Sequence, residues 1–344
     1  MVSSVVESLY TTIYSQAHSQ SHGIILAGRN DGKLLVYNVS GLLEREEGGG
    51  VRGERPLGPQ GSVKISPHPV YSLAHTADFA VAGSSGTISG FRWSELKECN
   101  NTKPVWSISL DSDQSSFGTP EVNSLCYNNS TGNSQLLWAA CGDWKTRAYD
   151  LETGKLVTSL DGHKDYVHQV TASGNDVITC GEDGAVLVWD SRTPGEPRTS
   201  ILPHEHQQLQ RPQHGKFISS VDYAGGEWLV CGGGPRAAVF HLRSAGLITT
   251  LPPSDLDTPV TVAMFTKRDD ASSIATAGAD GGFVYVCNLS GQLTAKLPTS
   301  ARCVYTVVAS YDKHTLMSIG GYSSKIDMCL NLSYRDHSVT TICD

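Results

Sequence analysis

A short pattern recurs seven times along the 344 residues of the chain. In each copy, a run of apolar residues ends in a small residue and glycine, and a polar turn and a second apolar run follow. A period of about 40 to 50 residues is typical of architectures in which similar units bury their apolar faces against one another. The seven copies begin at Ile24, Phe79, Leu136, Val177, Trp228, Ile274 and Leu316.

The composition of each copy favours β-strands. Apolar runs of four to six residues with glycine-rich turns suit four-stranded antiparallel blades arranged around an axis. A further strand is predicted before each copy, at Thr11–Tyr14, Val70–Leu73, Val122–Tyr127, Val167–Val170, Phe217–Tyr223, Val260–Phe265 and Val304–Val308. Outer strands are predicted at Lys155–Ser159, Gln292–Leu297 and Ser338–Cys343.

We therefore predict an all-β fold, a seven-bladed β-propeller with four-stranded antiparallel blades that fills residues 1–344 as one domain. The segment Gly41–Gly61 is rich in Glu, Arg and Gly, and we interpret it as a mobile loop of the first blade, with an interdomain linker as the alternative. Asp111–Thr119 and Pro203–Gly215 are the other long loops. The ring closes either with C-terminal strands alone or with a strand lent by the N-terminus.

Small residues at the strand ends let neighbouring blades approach closely. Cys141, Cys180 and Cys231 are predicted to fill a position that alanine fills in other copies, and hence to act as small buried hydrophobes rather than as catalytic or metal-binding groups. Nothing at the N-terminus is typical of a secretory signal, so we expect the nine cysteines to be reduced and the protein to be cytosolic or nuclear.

The fourth copy carries the pattern by which the chain resembles the WD-repeat family. Its residues His163, Thr179, Asp183 and Trp189 have the spacing of the hydrogen-bonded tetrad found within one blade of that family. A buried imidazole needs partners for both of its nitrogens, and a carboxylate, a hydroxyl and an indole N–H can supply such a network. The resemblance implies a structural role for these four residues and no catalysis.

The same copy contains a W-D-x-R box, formed by Trp189, Asp190 and Arg192. The box resembles one in WD-repeat substrate receptors of cullin-RING ubiquitin ligases, where the arginine contributes to adaptor binding. The three residues are therefore candidates for binding a partner, and a ligase receptor is our alternative functional hypothesis.

Several segments are similar to the THO complex subunit 6 family: Pro120–Asn123 (PEVN), Gly162–His168 (GHKDYVH), Gly181–Ala185 (GEDGA), Leu229–Pro235 (LVCGGGP) and His241–Arg243 (HLR). The resemblance implies a nuclear scaffold of the THO/TREX assembly, which couples transcription and mRNA processing to export. It also implies docking onto elongated coiled-coil subunits and support for oligomerisation of the complex.

Composition and motifs argue against other classes of function. The net charge is −8 and the basic residues form no stripe, so we expect any contact with RNA to be indirect.

The sequence also lacks the patterns of membrane proteins and common enzymes. No apolar run is long enough for a membrane helix, and no motif of a hydrolase, a phosphate-binding loop or a zinc protease occurs. We predict no enzyme activity, cofactor or metal; a zinc site formed by His204, His206 and His214 is the less favoured alternative. Trp144, Tyr166 and Trp228 either anchor partners or pack between blades.

Overall fold

The computed structural model describes residues 9–40, 58–99, 102–110, 118–128, 135–193, 195–224, 226–267, 271–311 and 315–342. Within these ranges the chain forms seven four-stranded antiparallel sheets, and each sheet follows the order of its strands along the chain. Each innermost strand contacts the innermost strands of the sheets before and after it, and the last contacts the first. The sheets are therefore the blades of a seven-bladed β-propeller, which confirms the predicted fold class.

Each blade contributes one strand to each of four layers around the channel. The innermost strands are β1 (Ile13–Ser19), β5 (Ser72–His75), β9 (Val122–Asn128), β13 (Val167–Ser173), β17 (Ile218–Ala224), β21 (Val260–Phe265) and β25 (Val304–Tyr311). The second strands are β2 (Ile24–Arg29), β6 (Phe79–Ser84), β10 (Leu136–Cys141), β14 (Asp176–Gly181), β18 (Trp228–Gly233), β22 (Ser273–Gly278) and β26 (Thr315–Gly321).

The outer half of each blade is built from two further strands. The third strands are β3 (Lys33–Asn38), β7 (Thr87–Arg92), β11 (Lys145–Asp150), β15 (Val186–Asp190), β19 (Ala238–His241), β23 (Phe283–Asn288) and β27 (Lys325–Cys329). The outermost strands are β4 (Gly61–Lys64), β8 (Trp106–Ser109), β12 (Leu156–Asp161), β16 (Thr199–Ile201), β20 (Gly246–Thr250), β24 (Leu293–Pro298) and β28 (His337–Thr340). A short helix, α1 (Trp93–Glu98), follows β7 and buries Trp93 and Leu96.

The core lies between the blades. Successive side chains of a strand point to opposite faces, so a second strand needs a neighbouring blade on each side. All six residues of β2 are buried: Leu26 shares an apolar cluster with Phe91 of blade 2, and Ile25 shares another with Met328 of blade 7. Continuous apolar runs in the second strands follow from this double burial.

Blade 7 is built from the C-terminal strands β25 to β28, and no strand from the described N-terminal residues, which begin at Leu9, joins it. The backbones of blades 7 and 1 meet at an isolated bridge between Thr12 and Tyr322. Side-chain hydrogen bonds also cross this seam, from Ser318 to Gln16, from Tyr37 to the Thr340 carbonyl and from Arg29 to the Thr341 carbonyl.

Two of the predicted loops are only partly described. Residues 41–57 of the Gly41–Gly61 segment and residues 111–117 of the Asp111–Thr119 segment lie outside the described residues. Gly61 already belongs to β4, which pairs with β3. The described part of Gly41–Gly61 therefore leads back into blade 1.

The Pro203–Gly215 loop is exposed along much of its length, but it is anchored by the buried side chains of Pro203, Leu209 and Arg211. It contains two 3₁₀ turns, Pro203–Glu205 and Pro212–His214, and Leu209 between them is fully buried. The buried guanidinium of Arg211 donates to the carbonyl oxygens of Gly233, Gly234 and Pro235. The glycine run 232–234 thus presents backbone acceptors to an arginine, which its composition alone did not indicate.

The strand registers correct the predicted position of three cysteines. Cys141 pairs with Val122, Cys180 with Gln169 and Cys231 with Val221. Counted from the start of the innermost strand, these partners occupy three successive pairing positions, so the cysteines do not share one position. The prediction was wrong because the glycine after each cysteine differs in place: it ends the second strand in blade 4 but belongs to the turn in blade 3. All three side chains are nevertheless fully buried, as expected of small hydrophobes.

We expect the substitution Ser318→Ala to destabilise the propeller. It leaves the buried carbonyl oxygen of the Gln16 side chain without its hydroxyl donor, which costs about 1 to 3 kcal/mol of unfolding free energy. Urea unfolding monitored by circular dichroism measures the change. Ser107→Ala is the matched control, because its hydrogen bond to Ser89 is exposed. Equal stability of the two variants would contradict a role for the seam in closing the ring.

Candidate functional site

The two rims of the disc differ in what they expose. We call the rim at which the innermost strands begin the upper rim; the turns between second and third strands also lie there. The opposite rim, which carries the turns between third and outermost strands, is the lower rim. Loops from all blades converge on each rim, so both are candidate docking surfaces.

Blade 4 brings His163, Thr179, Asp183 and Trp189 together near the upper rim. The His163 Nδ1 atom lies 3.0 Å from an Asp183 carboxylate oxygen, and its Nε2 atom lies 2.8 Å from the Thr179 hydroxyl. The Trp189 indole N–H donates to the same hydroxyl at 2.9 Å. A neutral imidazole protonated on Nδ1 satisfies this chain, because the hydroxyl then accepts from Trp189 and donates to His163.

The Asp183 carboxylate joins this chain to the backbone of the turn. It also accepts hydrogen bonds from the amides of Lys164 and Ala185. Burial alone would raise the pKa of Asp183, but the hydrogen bonds from His163 and the two amides lower that pKa to about 2. The network therefore fixes the connection from blade 3 and the turn of blade 4, which is a structural task.

Arginines take the place of the histidine at three other turns. Asp31 pairs with Arg29 at 3.1 Å, and Asp280 pairs with Arg302 at 2.9 Å. In blade 3, Asp143 accepts a bidentate pair of hydrogen bonds from the buried Arg147. The sequence pattern did not indicate this pair, because that copy has no histidine and has Tyr149 at the position that Trp189 fills in blade 4.

The W-D-x-R box is only partly accessible. Trp189 is 1% exposed, so it is available to the tetrad and not to a partner. The Arg192 side chain is 68% exposed, and its guanidinium makes two hydrogen bonds to Asp190, at 2.9 and 2.6 Å. Of the three predicted partner-binding residues, Arg192 is the one that a partner would meet, and it is already paired.

Exposed aromatic side chains collect on the upper rim. Among the described residues, six aromatic side chains are more than about a third exposed, and Tyr334 alone of these lies at the lower rim. Aromatic residues dominate the energetics of protein interfaces. The other five, which we call the aromatic rim, are Tyr10, Trp144, Tyr166, Tyr305 and Tyr322.

Trp144 is held in a backbone conformation that a tryptophan rarely adopts. Its φ angle is +71°, and the equivalent turn positions in blades 1 and 4 are Gly32 and Gly184, with φ of +78° and +84°. A non-glycine residue in this region costs of order 1 to 3 kcal/mol, and such strain is concentrated at functional sites. The indole of Trp144 is 37% exposed. Glycine at this turn position would make the fold more stable, so the tryptophan is retained at a cost in stability.

The three aromatic side chains that the sequence offered as partner anchors have different environments in the structure. Trp144 and Tyr166 belong to the aromatic rim, whereas Trp228 packs its ring edge-on against His241 at 5.9 Å. Tyr10, Tyr305 and Tyr322 were not singled out from the sequence. Their common position, at the start of an innermost strand or in the turn after a second strand, is the signal that identifies them.

The three histidines weighed as zinc ligands do not form a cluster. His206 packs edge-on against Phe240, and His214 lies 4.0 Å from Asp257. In the described parts of the chain, no group of three or more His, Cys, Asp or Glu side chains is placed to hold a metal ion. Nor does any helix in those parts have the length and apolarity needed to cross a membrane.

We expect Asp183→Asn to reduce stability in a pH-dependent way. The folded-state pKa of Asp183 is lowered from 3.8 to about 2, so its charge contributes stability above pH 4 that is lost as the pH falls toward 2. The difference in unfolding free energy between the wild type and the variant should be constant above pH 5 and shrink below pH 4. Urea titrations across this range measure it; a difference that grows at low pH would refute the assignment.

We expect Cys141, Cys180 and Cys231 to resist alkylation in the folded protein. Burial raises the pKa of the Cys141 and Cys231 thiols to about 12 and that of Cys180 well above its usual value, and the thiolate is the nucleophile. Peptide mass spectrometry after treatment with N-ethylmaleimide should find them unmodified until urea is added. Native labelling as rapid as that of the partly exposed Cys126 would contradict their burial.

Comparison with known proteins places the chain in a family. No family model matches it. It is 30% identical to the THO complex subunit 6 homolog of Danio rerio over 343 residues, which cover 97% of this chain and 99% of that protein. It is also 30% identical to THO complex subunit 6 of Drosophila melanogaster, covering 96% and 89% of the two chains, and to that of Homo sapiens, covering 98% and 95%. The chain belongs to the THO complex subunit 6 family.

Proposed function

We propose that the protein is a non-catalytic scaffold subunit of the nuclear THO complex, acting in mRNA processing and export. The observation that carries the proposal is the similarity to THO complex subunit 6 proteins along nearly the whole length of both chains. A match of this extent includes every blade and both rims, and so is not limited to the WD-repeat pattern.

The aromatic rim supports a role in protein docking. Five large aromatic side chains on one rim offer several anchors at low cost in conformational entropy. We propose that this rim docks onto an elongated coiled-coil subunit of the complex and thereby supports its oligomerisation. Coiled-coil surfaces present rows of charged and apolar side chains on a rigid rod, which suits a rigid rim.

The charge of the protein supports indirect contact with RNA. The net charge is −8, and the exposed Arg192, Arg198 and Arg302 are each paired with a carboxylate. Phosphate neutralisation by free cations supplies most of the affinity for nucleic acid. We therefore propose that other subunits carry the RNA.

A ubiquitin-ligase receptor is the second candidate, favoured by the exposed Arg192 of the W-D-x-R box. An adaptor would have to compete with Asp190 for the guanidinium, since both carboxylate oxygens already accept hydrogen bonds from it. Loss of a cullin adaptor from purified material on substitution Arg192→Ala would support this function. Recovery of no adaptor from wild-type material would exclude it.

We expect affinity purification of the tagged protein from nuclear extract to recover the other THO subunits. Trp144→Gly should weaken their recovery, because it removes an anchor while placing in the turn the residue found in blades 1 and 4. A loss typical of an interface hot spot, about 2 kcal/mol, corresponds to roughly thirtyfold in affinity.

Tyr334→Ala is the matched control, because Tyr334 is exposed on the lower rim. Quantitative mass spectrometry compares the three preparations. Full recovery with Trp144→Gly would remove the aromatic rim from the proposal, and absence of THO subunits from wild-type material would overturn the scaffold function.

A further inference from the structure

The innermost strands share a backbone irregularity at the upper mouth of the central channel. In six of them the pairing with the second strand shifts by one residue at the second residue of the strand. A β-bulge of this kind re-aims the extra side chain and is common beside binding sites. The bulged residues are Tyr14, Asn123, His168, Ser219, Thr261 and Tyr305, and all six line a cavity of about 260 Å³ at this mouth.

Three tyrosines form one half of this mouth. Tyr14 of blade 1 lies between Tyr305 of blade 7 and Tyr71, which immediately precedes β5 of blade 2. The ring centroids of Tyr14 and Tyr71 are 6.0 Å apart, and those of Tyr14 and Tyr305 are 5.5 Å apart, with the planes tilted by 38° and 51°. Tilted rings at these distances present π-faces as well as hydroxyl groups to the cavity.

The other half of the mouth is engaged in holding blades together. Ser219, Thr261 and Asn123 donate side-chain hydrogen bonds to backbone carbonyls at the start of the next blade's innermost strand. In blades 1 and 2 the serines next to the tyrosines, Ser15 and Ser72, make the corresponding bonds. Tyr14 and Tyr71 are therefore not needed for this structural task, and their role must be sought at the cavity itself.

The charges around the cavity favour a cation. Among the residues that the structure describes, the lining contains no lysine or arginine, and apart from the tyrosines its ionisable residues are Asp222, which is 1% exposed, and His168. His168 lies 2.8 Å from the Glu182 carboxylate at the rim. Serine, threonine and tyrosine hydroxyls supply many hydrogen-bond acceptors. An anion would find no lysine or arginine among the described lining residues, and an apolar ligand would leave these polar groups unpaired.

We propose that this tyrosine mouth binds the side chain of an arginine presented by a protein partner. A guanidinium is planar, stacks on aromatic faces and has five N–H donors for the surrounding acceptors. A lysine ammonium lacks the planar face and has only three donors. The cavity opens among the residues of the aromatic rim, so the arginine arrives on a polypeptide that covers this rim.

A titration of the isolated protein with a blocked peptide tests this site. The peptide Ac-Gly-Gly-Arg-Gly-Gly-NH2 should bind saturably in calorimetry, with the tyrosine ring resonances of Tyr14, Tyr71 and Tyr305 shifting in NMR spectra. The citrulline analogue keeps the shape but loses the charge, and it should bind at least tenfold more weakly. The lysine analogue should also bind more weakly than the arginine peptide.

Two variants and a control connect the binding to the mouth. Tyr14→Leu removes the central ring while keeping an apolar side chain, and Tyr305→Leu removes a ring that is 41% exposed, so that its loss does not depend on core packing. Each should weaken the arginine peptide about tenfold or more. Tyr334→Leu on the lower rim should leave its affinity unchanged.

The proposal is overturned if the arginine peptide does not saturate, if citrulline or lysine binds as well, or if the two mouth variants retain wild-type affinity. Because the experiment uses the isolated chain and a synthetic peptide, its failure leaves membership of the complex untouched. Conversely, arginine binding would persist if the purification recovered no THO subunits.

Discussion

The double burial of each second strand is the constraint on which the structure depends. A sheet with apolar side chains on both faces is unstable alone, so each blade requires a neighbour on both sides and the series must end by meeting its own beginning. Within the described residues, the ring closes between β1 and β25 with side-chain hydrogen bonds and a backbone bridge, without an exchanged strand. The packing at that seam therefore carries the closure, and both rims depend on it for their shape.

The upper rim combines rigidity with exposed aromatic surface. The tetrad of blade 4 and the arginine–aspartate pairs of blades 1, 3 and 6 fix the turns there by local polar contacts. These contacts satisfy the buried and half-buried charges within the protein. The exposed tyrosines and tryptophan of this rim are held on turns that do not need to reorganise when a partner arrives, and this keeps the entropic cost of binding low.

The sequence predicted the blades well because the repeated, doubly buried second strands appear in it as recurring apolar runs. Seven apolar runs ending in glycine correspond to the seven second strands, and the histidine and tryptophan of one copy were enough to group the tetrad. The shared position predicted for the cysteines was wrong, since a glycine inside a strand and a glycine in the following turn look alike in sequence. The tyrosine mouth was not foreseen, because Tyr14, Tyr71 and Tyr305 are brought together from blades 1, 2 and 7 by ring closure, and because the bulges that aim Tyr14 and Tyr305 leave no sequence signal.

Closure without strand exchange has a consequence for synthesis on the ribosome. Blade 1 can pair its own four strands early, yet the face that carries Ile25 and Ala27 meets its partner only when β26 and β27 have emerged. Until then the nascent chain carries an uncovered apolar surface at each end of an incomplete arc. Chaperone engagement during translation, and the fate of truncated products, should therefore be governed by the arrival of the final blade.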